Sequence, residues 1–176
     1  MTTPGITLRI GRAADAAAVS QLVLASFDAA VATDWSEAAR AVFHTEMAPE
    51  PMAEAIDDAA FALVAEAGGE LVGVLVMGTP TLMTMLFVRP DRLRTGIGRT
   101  LWNEAQRWLL AQHADASTIE LNASLCAVPF YRAMGFYPIS PAYQNEGACA
   151  VRMACWLPSF YLIQHGMVLR SGQIDG

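Results

Sequence analysis

A chain of 176 residues with 54% hydrophobic and 16% charged residues is long enough for one buried core and too apolar to remain disordered. Its formal net charge of −6 argues against nucleic acid as a partner, which would require a basic footprint, and leans toward a cationic or amine-bearing ligand. The cysteines Cys126, Cys149 and Cys155 lack Cys-x-x-Cys spacing and no signal peptide opens the chain, so reduced thiols, a cytoplasmic location and no metal site are expected.

In chain order, Ile6 to Ile10 ("ITLRI") alternates and predicts a strand. Residues from about Ala14 to Ala30 predict a helix with Val19, Leu22, Val23 and Phe27 on one face and Asp15 in its first turn. "DWSEAARAVFHTEMAPEPMAEAI" predicts one or two short helices broken at Pro49 and Pro51. "FALVAEAGGELVGVLVM" predicts a hairpin turning at Ala67-Gly68-Gly69-Glu70. Leu71 to Val88 carries no charge, yet Gly78-Thr79-Pro80 interrupts it. Two strands joined by a turn, the second from about Thr81 to Val88, fit that run better than a membrane span.

"LFVRPDRLRTGIGRTLW", Leu86 to Trp102, then reads as strand end, basic turn, glycine-rich loop and helix, the last with Ile97, Leu101, Ala105, Trp108 and Leu109 on one face. Backbone N–H groups from Arg94 to Thr100 fall at the positive end of that helix, where an anion is favoured. Arg92, Arg94 and Arg99 add charge. A P-loop needs lysine after its last glycine, and Arg99 follows Gly98; a dinucleotide fingerprint needs glycine where Leu101 stands. Alone, Gly-Ile-Gly fits an ordinary turn into a helix equally well.

Thr118 to Leu121 predicts a short strand, and Ala127 to Met134 a short helix stopped by Gly135. "FYPIS" and "ACAVRMACWL" predict two last strands joined by the polar loop "PAYQNEG", giving a mixed α/β sheet under helices. "LNASLCAVPFYRAMGF", Leu121 to Phe136, now joins the glycine loop in one pattern. Together they resemble the GCN5-related N-acetyltransferase superfamily over about residues 5 to 157. That family's pyrophosphate loop runs Arg/Gln-x-x-Gly-x-Gly/Ala. Its last motif, Ala-x-x-Phe/Leu-Tyr-x-x-x-Gly-Phe, is matched by Ala127, Phe130, Tyr131, Gly135 and Phe136. The leading Arg/Gln position is Leu93 here, between Arg92 and Arg94.

The resemblance implies an acyl-CoA N-acyltransferase fold: α/β, with a mixed, mostly antiparallel central sheet, a splayed central strand and flanking helices. It implies a domain over 1–157, followed by an extension, 158–176, packed on the domain or on a second subunit. "FYLIQ" and "MVLR" around His165-Gly166 would form a hairpin there. The implied chemistry is acetyl transfer from acetyl-CoA to a small-molecule or peptide amine by direct attack, with no metal, nucleic acid or membrane. Pairing with a second copy of the chain is left open.

On the same basis Tyr131 would protonate the leaving thiolate, and the Val88 N–H would receive the thioester oxyanion. The backbone of Leu86, Phe87 and Val88 would hold the pantetheine arm; Arg94, Thr95, Gly96, Ile97, Gly98, Arg99 and Thr100 would hold the pyrophosphate. Asn122 and Ser124 are candidates for the pantetheine amides, with ordinary strand-end capping an equal alternative. No carboxylate lies on "TLMTMLFV", so Asp34, His44, Glu46 or a water relay is left as the general base. Tyr143 and Glu146 are further acceptor candidates. An acyl-Cys126 route is disfavoured because direct attack needs no nucleophile. The alternative from another class is a non-catalytic coenzyme A sensor.

Overall fold

The computed structural model describes residues 5–113 and 116–157, and the predicted extension 158–176 with its hairpin lies outside the described residues. Strands β1 (Thr7–Ile10), β2 (Phe61–Ala67), β3 (Glu70–Thr79), β4 (Leu82–Val88), β5 (Thr118–Ser124), β6 (Tyr137–Pro138), β7 (Tyr143–Asn145) and β8 (Ala148–Trp156) form one sheet. Its order is β1-β2-β3-β4-β5-β8-β6, with β7 also beside β8. Every pairing is antiparallel except β4 with β5.

Period-two alternation distributes the strand side chains between two apolar layers. On one face Leu63, Leu75, Leu121 and Met153 pack under α4 (Ile97–Gln112) and α5 (Val128–Arg132). On the other, Val64, Val74, Val76 and Met85 meet α1 (Ala16–Ala30) and α3 (Pro49–Asp57), which supply Val19, Val23, Met52 and Ile56. Trp102, absent from the predicted face of α4, is among the largest fully buried side chains.

Three local predictions are corrected. A 3₁₀ turn at Ala13–Asp15 precedes α1, and Asp15 accepts from Arg9 Nη1 and Nη2 at 2.8 Å and from the Arg12 N–H at 2.9 Å. Its charge therefore ties β1 to the helix start. Pro49 and Pro51 do not break a helix; they fall in the first turn of α3, where a missing N–H costs nothing. The gap after α2 (Glu37–Glu46) lies at Met47-Ala48 instead. The polar loop before β8 contains β7, which pairs through Tyr143↔Ala150 and Asn145↔Ala148.

The central strand is kinked by opposed bulges. Val76 pairs with Met85 and Met77 with Met83, leaving Thr84 unpaired; Gly78 is the corresponding extra residue on β3. A Cβ at Gly78 would lie 2.8 Å from Thr84 Cγ2, so the bulge needs a glycine beneath it. Beyond it, β4 and β5 share the register pair Leu82↔Glu120, supported by Glu120 N–H to Thr81 O at 2.8 Å, and then diverge. The parallel sheet opens toward its C-terminal strand ends.

Candidate functional site

The opening leaves main-chain donors without a neighbouring strand. The Arg89 N–H bonds Val72 O at 3.0 Å, and antiparallel pairing alternates, so the N–H groups of Leu86 and Val88 turn away from β3 into the split. The same alternation turns the Phe87 N–H toward β3. Its side chain packs with the α1–α3 layer, while Leu86 and Val88 pack with the α4–α5 layer. The Val88 carbonyl accepts from Ser26 Oγ of α1 at 2.9 Å, which fixes the strand end.

At the mouth of the split the chain turns through Arg94 (φ 62°) and Gly96 (φ 90°) before α4 begins. Left-handed residues on either side of Thr95 curve the loop's N–H groups into a concave row, and the first turn of the helix adds Ile97, Gly98 and Arg99. Thr95 Oγ1 donates to Arg92 O at 2.6 Å and Thr100 Oγ1 to Gly96 O at 3.1 Å, bracing the loop from within. Gly98 permits close packing: a Cβ there would lie 2.8 Å from Phe130 Cζ and 3.6 Å from Val88 Cγ2.

Of the loop cations, Arg89 is engaged with Asp91 and Glu70, and its hydrogen bond holds the Asp91 carboxyl below the usual aspartate range. Arg99 reaches Ala133 O at 3.2 Å, tying α4 to α5, while Arg94 stays exposed. Leu93, at 51% exposure, adds no charge. The chemistry of this donor set fits a pyrophosphate: many N–H groups, a helix N-terminus and exposed guanidinium groups.

Tyr131 lies on α5 beside the split, with its ring centroid 5.3 Å from Phe130 and 5.6 Å from Phe136. Burial pushes its hydroxyl well above the ordinary phenol range, with a further contribution from Cys126. It therefore stays protonated and can donate. Cys126 is exposed, with Sγ 3.3 Å from Ser124 Oγ, which occupies that hydroxyl locally. Asn122 Oδ1 accepts from Tyr143 Oη at 3.1 Å, a tie from β7 to β5 that reaches over the intervening β8.

The other acceptor candidates are dispersed. His44 Nε2 lies 2.8 Å from Asp28 Oδ1, and its ring meets Phe27 edge-on at 6.0 Å, binding α2 to α1. Glu46 and Asp34 are exposed, at the end of α2 and in the turn before it. Phe27, Trp35, Phe43 and Phe87 form a chain of ring contacts under α1 and α2. Glu146, exposed, is in the turn between β7 and β8, beside the N-terminus of α2: Ser36 N–H donates to Gly147 O at 3.0 Å.

One carboxylate was missed by sequence reading. Glu120, inside the predicted strand "TIEL", stands at the root of the split. It lines a cleft of about 410 Å³ with Thr79, Thr81, Leu82, Thr118 and Arg152. Arg152 Nε donates to its Oε2 at 2.9 Å. Alternation along β5, with Ile119, Leu121 and Ala123 buried, was the available signal that Glu120 faces outward with Asn122 and Ser124. Among the described residues no group of His, Cys, Asp and Glu could hold a metal ion, and no helix is long and apolar enough to cross a membrane.

Comparison with known proteins adds three findings. Residues 31–157 match the model of the acetyltransferase (GNAT) domain. The chain is 27% identical over 99 residues to the peptidyl-lysine N-acetyltransferase YiaC of Escherichia coli K12, covering 56% of this chain and 62% of that relative. It thus spans less than two thirds of the relative's length. Among solved structures, a GCN5-related N-acetyltransferase from Rhodopseudomonas palustris superposes with a TM-score of 0.77 at 23% identity, covering 89% of this chain and 99% of that one. PaiA N-acetyltransferase from Thermoplasma acidophilum, crystallised with coenzyme A, gives 0.71 at 19% identity, covering 89% and 100%. These two likenesses concern the fold.

Proposed function

Because the chain belongs to the GNAT acetyltransferase family, we propose that it transfers an acetyl group from acetyl-CoA to a primary amine by direct attack within a ternary complex. The observation that carries this reading is the split between β4 and β5, lined by the outward N–H groups of Leu86 and Val88 and capped by the left-handed loop before α4. Acetyl-CoA supplies the activated thioester. The residues of the chain then divide the remaining work.

Arg94 to Thr100 bind the pyrophosphate, and the strand edge at Leu86 and Val88 binds the pantetheine amides. The Val88 N–H donates to the thioester carbonyl oxygen as negative charge gathers there. The amine nitrogen forms the new N–C bond while the C–S bond breaks. Tyr131 gives its proton to the departing sulfur. The amine proton leaves to water, because Glu120, beside Leu82 at the closed end of the split, stands six residues along β4 from Val88. A lysyl amine is the first acceptor to try, since the relative YiaC is a peptidyl-lysine N-acetyltransferase.

Calorimetric titration of acetyl-CoA into wild type and Gly96→Ala tests the reading. Alanine at φ 90° is strained, so the cradle should deform. Affinity is expected to fall by about tenfold, or 1.4 kcal/mol, in a variant that still melts cooperatively. No binding to wild type would refute the reading. Binding without thiol release across a broad amine panel would favour a coenzyme A sensor instead.

A further inference from the structure

The two faces of the sheet are not covered equally. The layer under α4 and α5 draws on every long strand, from Leu63 on β2 to Met153 on β8. The layer under α1 and α3 takes Val64, Val74, Val76 and Met85 from β2, β3 and β4, and none of its described residues comes from β5, β6 or β8.

The register identifies the side chains on that uncovered face, because directly paired residues point the same way. Leu82, Glu120, Ala154 and Tyr137 form one row across β4, β5, β8 and β6. Thr118 and Trp156 flank the row on one side, Asn122 and Arg152 on the other. Ile139, whose N–H donates to Arg152 O at 2.9 Å, extends the face past β6. The Glu120–Arg152 ion pair and the cleft beside it lie in the middle. Around them Trp156, at 62% exposure, joins Tyr137, Ile139 and Leu82 as exposed apolar side chains. Large apolar side chains gathered on one face, rather than scattered singly, mark a surface that something covers.

The chain carries a segment suited to that face. Leu157 N–H donates to Ser117 O at 3.0 Å, which closes the β5–β8 ladder beside Trp156 and Thr118, at the rim of the face. Residues 158–176 start from this point, with "FYLI" at 160–163, "MVL" at 167–169, and Arg170 and Asp175 as the only charged residues. Phe160 follows Leu157 within ~10 Å of extended chain. Leu82, on the second strand from β8, is about 10 Å across the sheet. A fold-back therefore needs no spacer, and it would bury an apolar tail together with an apolar face.

We propose that residues 158–176 dock within the same chain on the outer face of β5, β8 and β6, with the apolar run 160–163 lying over Trp156 and the cleft beside Glu120.

Acrylamide quenching of tryptophan fluorescence on the full chain reads this docking, and subtracting Trp156→Phe from wild type isolates the Trp156 signal. Trp156 is expected to be shielded in wild type, as the buried Trp102 is. It should become quenchable in both Leu162→Asp, within the segment, and Ile139→Glu, on the face, each melting about 2–4 °C lower. Ile10→Asp, equally exposed but on the β1 edge, should change neither property. Ready quenching of Trp156 in wild type, shielding that survives either of the first two substitutions, or shielding lost in Ile10→Asp would overturn the proposal. Shielding that disappears on dilution, with the mass by light scattering falling from dimer to monomer, would put a second copy on the face and overturn docking within the chain.

Discussion

Tyr131 illustrates how one residue's surroundings set its chemistry. Its ring is packed between Phe130 and Phe136, so ionising the hydroxyl would place a charge among apolar groups. The folded chain therefore holds the proton more tightly than free tyrosine does, and the group remains an acid beyond its ordinary value of 10.0. Tyr131→Phe keeps the packing and removes the proton. We expect kcat to fall by about 10–100-fold with acetyl-CoA affinity unchanged, as measured by steady-state kinetics beside calorimetry. Any alkaline decline in wild-type rate below pH ~10 should persist in the variant, because the Tyr131 hydroxyl does not titrate there.

Between elements, the ties that orient the helices are ionic at the β1 edge of the sheet and aromatic over its central strand. Arg9 on β1 bridges Asp15 before α1 and Glu66 on β2, each at 2.7–2.8 Å. Asp15 is depressed below its ordinary 3.8, chiefly by the Arg9 hydrogen bond. A depressed carboxylate stabilises the fold above its unfolded value and loses that contribution as pH falls through the folded one. Asp15→Asn should therefore cost about 1 kcal/mol at neutral pH, kept small because Arg9 is 37% exposed. The gap from wild type in denaturant unfolding should begin to narrow as pH falls below ~3.8 and close only below the depressed folded value, where the native carboxylate is also neutral.

How far these elements were legible depended on whether their cause was local. The β2–β3 hairpin is carried by alternation and Gly68-Gly69, both visible in the string, and α4 by its apolar spacing. The role of Pro49 was not, since proline stops one helix and starts another by the same missing N–H. Strand β7 was hidden because its pairing with β8 comes from a Glu146-Gly147 turn, and Glu is a poor signal for that turn. The site divides likewise. The loop from Arg94 to Thr100 is contiguous in sequence, while the company of Glu120, Arg152 and Thr81 exists only once distant strands are aligned.

At the scale of the molecule, two apolar layers hold a single sheet between them, and the opposed bulges at Gly78 and Thr84 are where that sheet departs from regularity. Both layers are continuous across β4, so the kink is accommodated without interrupting either core. What it disturbs is the ladder. Past Leu82↔Glu120 the parallel pair stops exchanging hydrogen bonds, though both strands run on to Val88 and Ser124.

A sheet with such a gap lacks a rung, and a ligand whose arm carries amides can serve as one. Acetyl-CoA would then be a temporary strand, satisfying main-chain groups that the polypeptide leaves to solvent. Amide hydrogen exchange reads this directly. At Leu86 and Val88, whose N–H groups face the split, protection should rise steeply when acetyl-CoA is added. At Phe87 and Arg89, already turned toward β3, it should change far less. An alternating pattern of protection along a single strand would mark the cofactor as part of the fold it completes.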